Sequence, residues 1–285
     1  NTDLDGEGLI DRAYVGDSGG QVWRFDVNSP DPGEWTARII ATLSGTALAS
    51  PFPDDTATFT RTPGLKRKFM YPPVVVKQQI EFTDSGGTAV KDRYDGVYIG
   101  TGDRENPNFG TSDDAMFMIK DYDIGLTASN TAPSTIGNMM NIYDLGISCS
   151  GSPETCSQTI TNTDKELLKT KQGWYYPLKN GEKVTASPTV FQNVLRFATF
   201  SPNESLDSCL PAGRGALYVM GAQFGELGNA LTSSATLPIA RQYTGFSVRG
   251  FIPTGTVLIR DKNIYVVHIA EGRLLYQKIG TVGGA

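Results

Sequence analysis

The sequence predicts an all-β fold: a partial, modified β-propeller of about four blades, with long loop insertions and one short helix. Three observations carry this reading. Thirty-two glycines and sixteen prolines accompany abundant Val, Thr, Tyr and Phe, the usage of a chain of short strands and many turns. Alternating apolar and polar runs come in pairs, the first joined by a Gly-rich link. The pairs recur farther apart than the ~40–50 residues of a standard blade, so insertions must fill the difference. An ordinary β-sandwich with similar hairpins is the competing architecture.

The first element is a loop. Asp3, Asp5, Glu7 and Asp11 alternate with Gly6 and Gly8. Alternate residues of a tightly curled loop point inward, so this spacing converges oxygen ligands on one point. A hard cation such as Ca²⁺ takes six to eight such oxygens. In a register starting at Asp3, the expected ligands are Asp3, Asp5, Glu7, the Leu9 carbonyl and Asp11. Gly8 then makes the sharp turn and Ile10 is the apolar anchor. A register starting at Asn1 is also conceivable and puts Gly6 at the turn. Neither supplies the bidentate Glu of an EF-hand at position 12, where Tyr14 or Arg12 would stand. A calcium loop feeding a strand is expected; an acidic, solvated turn is the plain alternative.

Next come Ala13–Asp17 and Gln21–Val27, joined through Ser18-Gly19-Gly20. Val22, Arg24 and Asp26 point one way, and Trp23, Phe25 and Val27 the other, which predicts an aromatic core face. The pattern returns at Val97–Gly102 with Ala115–Lys120, at Leu195–Phe200 with Ala216–Met220, and at Ile264–Ala270, turning at Glu271-Gly272 into Arg273–Ile279. Pro73–Val76, Pro188–Phe191 and Thr256–Ile259 read as preceding strands. Leu126–Thr163 is rich in Ser, Thr, Asn and Gly and reads as an exposed excursion. Thr163-Asp-Lys-Glu166 is a capping-box signature opening a helix through Lys171, stopped by Gly173. Ser201–Arg214 and Gly225–Leu237 read as polar loops. Trp23, Trp174 and the tyrosines are expected to pack between blades.

The cysteines are Cys149, Cys156 and Cys209. Cys149 and Cys156 bracket a short turn-rich loop and can close a small disulfide, leaving Cys209 free or paired elsewhere. That usage fits an exported protein. The net charge of -5 and the lack of a basic block beyond Lys66-Arg-Lys68 argue against nucleic acid as a partner. No run reaches the ~20 apolar residues of a membrane helix. The chain opens inside a motif without an initiating Met and is expected to be a piece of a longer protein, with residues 1–285 in one domain.

The acidic loop running into Arg12-Ala-Tyr-Val-Gly-Asp-Ser-Gly-Gly-Gln-Val-Trp-Arg-Phe-Asp26 closely resembles the PilY-type proteins of bacterial type IV pili. There an Asp-rich calcium loop precedes a Y-x-G-D-x-x-G-x-x-W-R-F-D strand pair. Val97–Gly102, Gly173–Leu178 and Gly181–Val184 running to Thr199–Pro202 are further matches. The resemblance implies the second half of a C-terminal propeller with one calcium bound at 3–11. It implies a pilus-tip adhesin and assembly factor outside the cell rather than an enzyme, with minor pilins and a host or abiotic surface as partners. Calcium would bear on pilus extension, retraction and attachment. Glu7 departs from the family, which more often has Asp. No Arg-Gly-Asp occurs.

His268, the lone histidine, sits on an alternating strand beside Val267 and Ile269 and is expected to pack rather than to catalyse. Gly100–Arg104 lacks the Gly-Lys-Ser/Thr of a phosphate loop. Asp103, Glu105, Asp113 and Asp114 read as loop acids. The rival functions are a quinoprotein-like propeller dehydrogenase and a calcium-independent scaffold propeller.

Overall fold

The computed structural model describes residues 3, 6, 8–48, 67–108, 113–124, 132–149, 156–179, 181–202, 213–226, 242–249, 252–253, 255–270 and 273–281. In chain order the strands are β1 (Arg12–Gly16), β2 (Gln21–Asp26), β3 (Thr36–Thr42), β4 (Val74–Thr83), β5 (Ala89–Gly100) and β6 (Ala115–Asp121). β7 (Ser134–Thr135), β8 (Met140–Asn141), β9 (Ile147–Cys149) and β10 (Cys156–Gln158) precede helix α1 (Asn162–Thr170). There follow β11 (Gly173–Pro177), β12 (Lys183–Val184), β13 (Thr189–Phe191), β14 (Val194–Ser201) and β15 (Arg214–Gly221). β16 (Gln242–Arg249), β17 (Thr256–Arg260), β18 (Asn263–Ala270) and β19 (Arg273–Thr281) complete the series.

These strands form open sheets, none of them closed into a barrel among the described residues: β1-β2-β3-β7, β4-β5-β6-β11-β8, β12-β14-β15-β16 with β13 also on β14, and β17-β18-β19, besides the ribbon β9–β10. The all-β expectation is met, and the four hairpin strand pairs fall where the alternation places them. Two turns share one design. Asp17 Oδ1 accepts from the Gly19 and Gln21 amides, and Asp84 Oδ1 accepts from the Gly86 and Thr88 amides. Each turn closes on a glycine at positive φ, Gly20 at 84° and Gly87 at 82°, a conformation that side chains resist. The β4–β5 hairpin thus repeats the Asp-Ser-Gly-Gly of the first and extends well past the strand expected at Pro73–Val76.

The first three sheets stack face to face in chain order. Tyr14, Val22 and Ala41 of the first sheet pack with Val97, Ile99, Phe117 and Ile119 on one face of the second. Its other face, with Tyr98, Met116, Met118 and Trp174, meets Leu195, Phe197, Tyr218 and Met220 of the third. Trp174 is fully buried there, edge-on to Tyr98 at 6.1 Å between ring centroids, as expected for a residue packed between layers. On the far side of the third sheet, Ala198, Leu217 and Val219 pack with Ile252. The β17–β19 sheet turns Leu258, Ile269, Leu274 and Tyr276 to solvent. At one end the layers are joined by main chain. Phe69 N donates to Asp17 O, Gly102 N to Lys68 O and Val184 N to Thr101 O, each at 3.0 Å.

Three expectations are corrected. Residues 134–142 of the expected exposed excursion join the core, with Ile136, Met139, Met140 and Ile142 buried. The buried face of β2 carries Val22, Arg24 and Asp26, whereas Trp23 and Phe25 are only half-buried. Burial goes to the charged face because partners wait across the layer. Trp23 instead uses its indole N–H on Asp17 Oδ2 at 3.0 Å. Helix α1 begins two residues early, capped by Thr161 with Asp164 rather than by Thr163 with Glu166. Both pairs have the capping-box spacing, and Ile160, packed against the central core, fixes the earlier start. Buried Leu168 seats the helix, and Lys120 Nζ, paired with Asp92 at 2.8 Å, donates to the Leu168 carbonyl at 2.9 Å.

The Glu271-Gly272 turn, Cys209, and residues 203–212 and 227–237 of the expected loops lie outside the described residues. Within the excursion, β9 and β10 pair antiparallel with Cys149 directly opposite Cys156. Facing Cα atoms of such a pair lie within the ~4.4–6.8 Å that a disulfide spans. Peptide mapping without reduction is expected to recover residues 149 and 156 cross-linked; recovery of both as alkylated thiols from oxidised protein would refute it.

Candidate functional site

The 3–11 loop closes on Asp3, whose carboxylate accepts from the Gly6 amide at 2.6 Å and the Gly8 amide at 2.9 Å. Gly6 and Gly8 stand at φ of 85° and 84°, the left-handed region open to glycine. Both candidate turn positions are therefore turned, one for each register. Ile10 is 52% exposed and Leu9 68% exposed, so Ile10 is no apolar anchor: carboxylate-to-amide bonds curl the loop. Asp11 is buried, and its carbonyl accepts from Val27 N at 2.7 Å. Asp5 and Glu7 lie outside the described residues. Among the described residues no three His, Cys, Asp or Glu side chains gather as a metal-holding group. An all-oxygen donor set such as the expected one fits a hard cation.

The loop leads into a buried ion cluster that sequence reasoning missed. Arg12 and Arg24, fully buried, share Asp26: Arg12 Nε lies 2.6 Å from Oδ1 and Arg24 Nη2 2.8 Å from Oδ2. Arg24 Nη1 reaches Asp121 at 2.9 Å and Asp123 at 2.7 Å, both beyond or at the end of β6 in the next sheet. Arg12 also donates to the Asp123 carbonyl, and Arg38 pairs with the Asp123 carboxylate. The Tyr14 hydroxyl donates to Asp121 Oδ2 at 2.9 Å; burial first, then the Asp121 charge, raises its pKa. Burial opposes the charge on Arg24, but its hydrogen bonds with Asp121, Asp123 and Asp26 prevail and raise its pKa.

Three guanidiniums thus balance Asp26, Asp121 and Asp123. Asp95, fully buried on the adjacent strand opposite Asp121, is in excess, and neither of its carboxylate oxygens has a hydrogen-bond partner among the described residues. Burial first, and the Asp121 charge second, hold its pKa above the usual carboxylate range.

Three of the remaining loop acids are tied to cations. Lys68 pairs with Asp103 at 2.7 Å and approaches Glu105 at 3.6 Å, while buried Arg67 pairs with Asp113 at 2.8 Å. Gly100–Arg104 is the end of β5 and the turn after it. His268 is packed, its Nδ1 3.1 Å from the Pro253 carbonyl oxygen. A signal for the cluster does exist in the sequence: Arg24-x-Asp26 on one strand and Asp121-x-Asp123 after another are complementary pairs on strand periodicity.

Over 261 residues, 89% of its length, the chain is 26% identical to a protein of Xylella fastidiosa described as a type IV pilus biogenesis factor PilY1 homolog. The match spans 16% of that protein. The likeness supports a PilY-related family. No family model and no solved structure matches the chain.

Removing one partner of a buried, shared ion pair leaves uncompensated charge and costs about 3–5 kcal/mol. Arg24→Ala is expected to lower unfolding free energy by about that amount in urea titrations. Asp95 has the opposite sign. A raised folded-state pKa means that stability falls as pH rises from the unfolded carboxylate value through the folded one. Asp95→Asn removes that loss, so its melting temperature relative to wild type should climb between pH 4 and pH 7; a pH-independent difference would refute the assignment.

Proposed function

We propose that residues 1–285 are a calcium-binding, propeller-type region of a type IV pilus-associated factor. It acts without catalysis in pilus assembly and retraction and in surface attachment, at the pilus tip with minor pilins as partners. The observation that carries this reading is the likeness to a pilus biogenesis factor over most of the chain. The stacking of open sheets in chain order is what successive propeller blades do.

Asp3, Asp5, Glu7, the Leu9 carbonyl and Asp11 would hold the ion. When bound, Ca²⁺ supplies positive charge among carboxylates whose mutual repulsion otherwise loosens the loop. The chain's own residues pass that order onward. Asp11 fixes the start of β1 through Val27, and the next residue, Arg12, enters the ion cluster shared with the second sheet. Loop order and sheet register are therefore coupled, and binding stabilises the folded form as ligand exceeds Kd.

Calorimetric titration of the full-length protein should show saturable binding, with Kd of about 10⁻⁶–10⁻³ M, abolished by Asp5→Ala. Bacteria carrying that variant should assemble fewer surface pili. Undiminished calcium binding at the loop variant would end the ligand assignment, and normal piliation in a strain lacking the protein would end the pilus reading.

A further inference from the structure

Arg196 lies on β14 in the middle of the third sheet, on the face away from the second sheet, and is 5% exposed. Its surroundings are apolar, with Val194, Ala198, Val219 and Ile252 on that face. Nε and Nη1 are buried without a hydrogen-bond partner among the described residues. This sets it apart from Arg12 and Arg24, whose burial is matched by carboxylates. A guanidinium is always charged, and burying one unpaired is among the costliest things a fold can do. Burial, unopposed by any acid, brings its pKa down to about 10.

His268 approaches from β18. Burial lowers its pKa, the Pro253 carbonyl pulls it up, and the Arg196 charge lowers it again, so imidazole and guanidinium share one electrostatic neighbourhood. Ile252, packed on that face, and Pro253 wall a cavity of 390 Å³ shared with Tyr71, Arg104 and Thr185. A planar fork of donors without an acceptor, beside a cavity bearing another arginine, is a receptacle for negative oxygen.

We propose that Arg196, with His268 beside it, binds a small oxyanion, a phosphate or a carboxylate, between the β14 sheet and the β17–β19 sheet. The anion completes the charge that the protein leaves open there, and it ties the two layers together. The site is independent of the calcium loop.

The test is hydrogen exchange by mass spectrometry on the full-length protein, at constant ionic strength, titrating inorganic phosphate and, separately, acetate against chloride. Protection of peptides covering residues 194–201 and 263–270 is expected to rise saturably with one of the two oxyanions, which identifies the preferred chemistry. Arg196→Met should remove the response, and Arg196→Lys, which keeps the charge but loses the fork, should weaken the apparent affinity at least tenfold. Equal responses in wild type and both variants would reduce the effect to non-specific screening and overturn the site. So would no response in wild type to either anion.

Discussion

The fold depends on charges placed where water cannot reach them. Arg24 on β2 holds Asp26 on its own strand and Asp121 and Asp123 on the neighbouring layer. Desolvating these ions costs more than most single contacts return, so the arrangement is tolerable only when every partner is in place. The requirement acts as a register lock. Slipping β1 or β2 by one residue would send Arg12, Arg24 and Asp26 to the opposite face and strand Asp121 and Asp123 without cations. Apolar packing between the same layers, by comparison, tolerates small shifts.

Around that lock the layers divide the labour. The interface between the second and third sheets is aromatic, with Trp174 against Tyr98 and Phe197 stacked on Tyr218 at 4.9 Å between centroids. Some polar groups there are satisfied in place: the Tyr98 hydroxyl accepts from Gln78 and donates to the Ala222 carbonyl, and Glu182 receives the hydroxyls of Thr199 and Tyr218, whereas the Trp174 indole N–H and the Tyr94 hydroxyl are buried without a hydrogen-bond partner among the described residues. Small residues permit the approach. A Cβ on Gly16 would collide with Phe69, and one on Gly100 with Val184. The glycines of the two Tyr-x-Gly runs are thus contact points between layers as much as strand ends.

Strand positions were largely legible in the sequence because period-two alternation and glycine turns are local signals. Which face of β2 is buried was not. Trp23 and Phe25 argue for the core on hydrophobicity alone, and only the distant Asp121 and Asp123 reverse that preference. The Asp84-Ser-Gly-Gly87 hairpin was readable by analogy with Asp17–Gly20. The short strands β7, β8 and β12 were not, since two residues carry no period and exist only because neighbours pair with them. For the 3–11 loop, spacing indicated the turn that Asp3 makes with Gly6 and Gly8, while the exposure of Ile10 depends on what surrounds the loop.

The main-chain links at one end of the stack bear on how such a fold ages. Phe69, Gly102 and Val184 give amide hydrogens to Asp17, Lys68 and Thr101, and peptide groups are the same whatever side chain they carry. Apart from Gly102, where a Cβ would press on the Val184 carbonyl, substitution there leaves the linking bonds untouched, and proline alone is barred from the donor positions. The layer geometry at this end is therefore carried by the course of the backbone more than by the letters of the sequence.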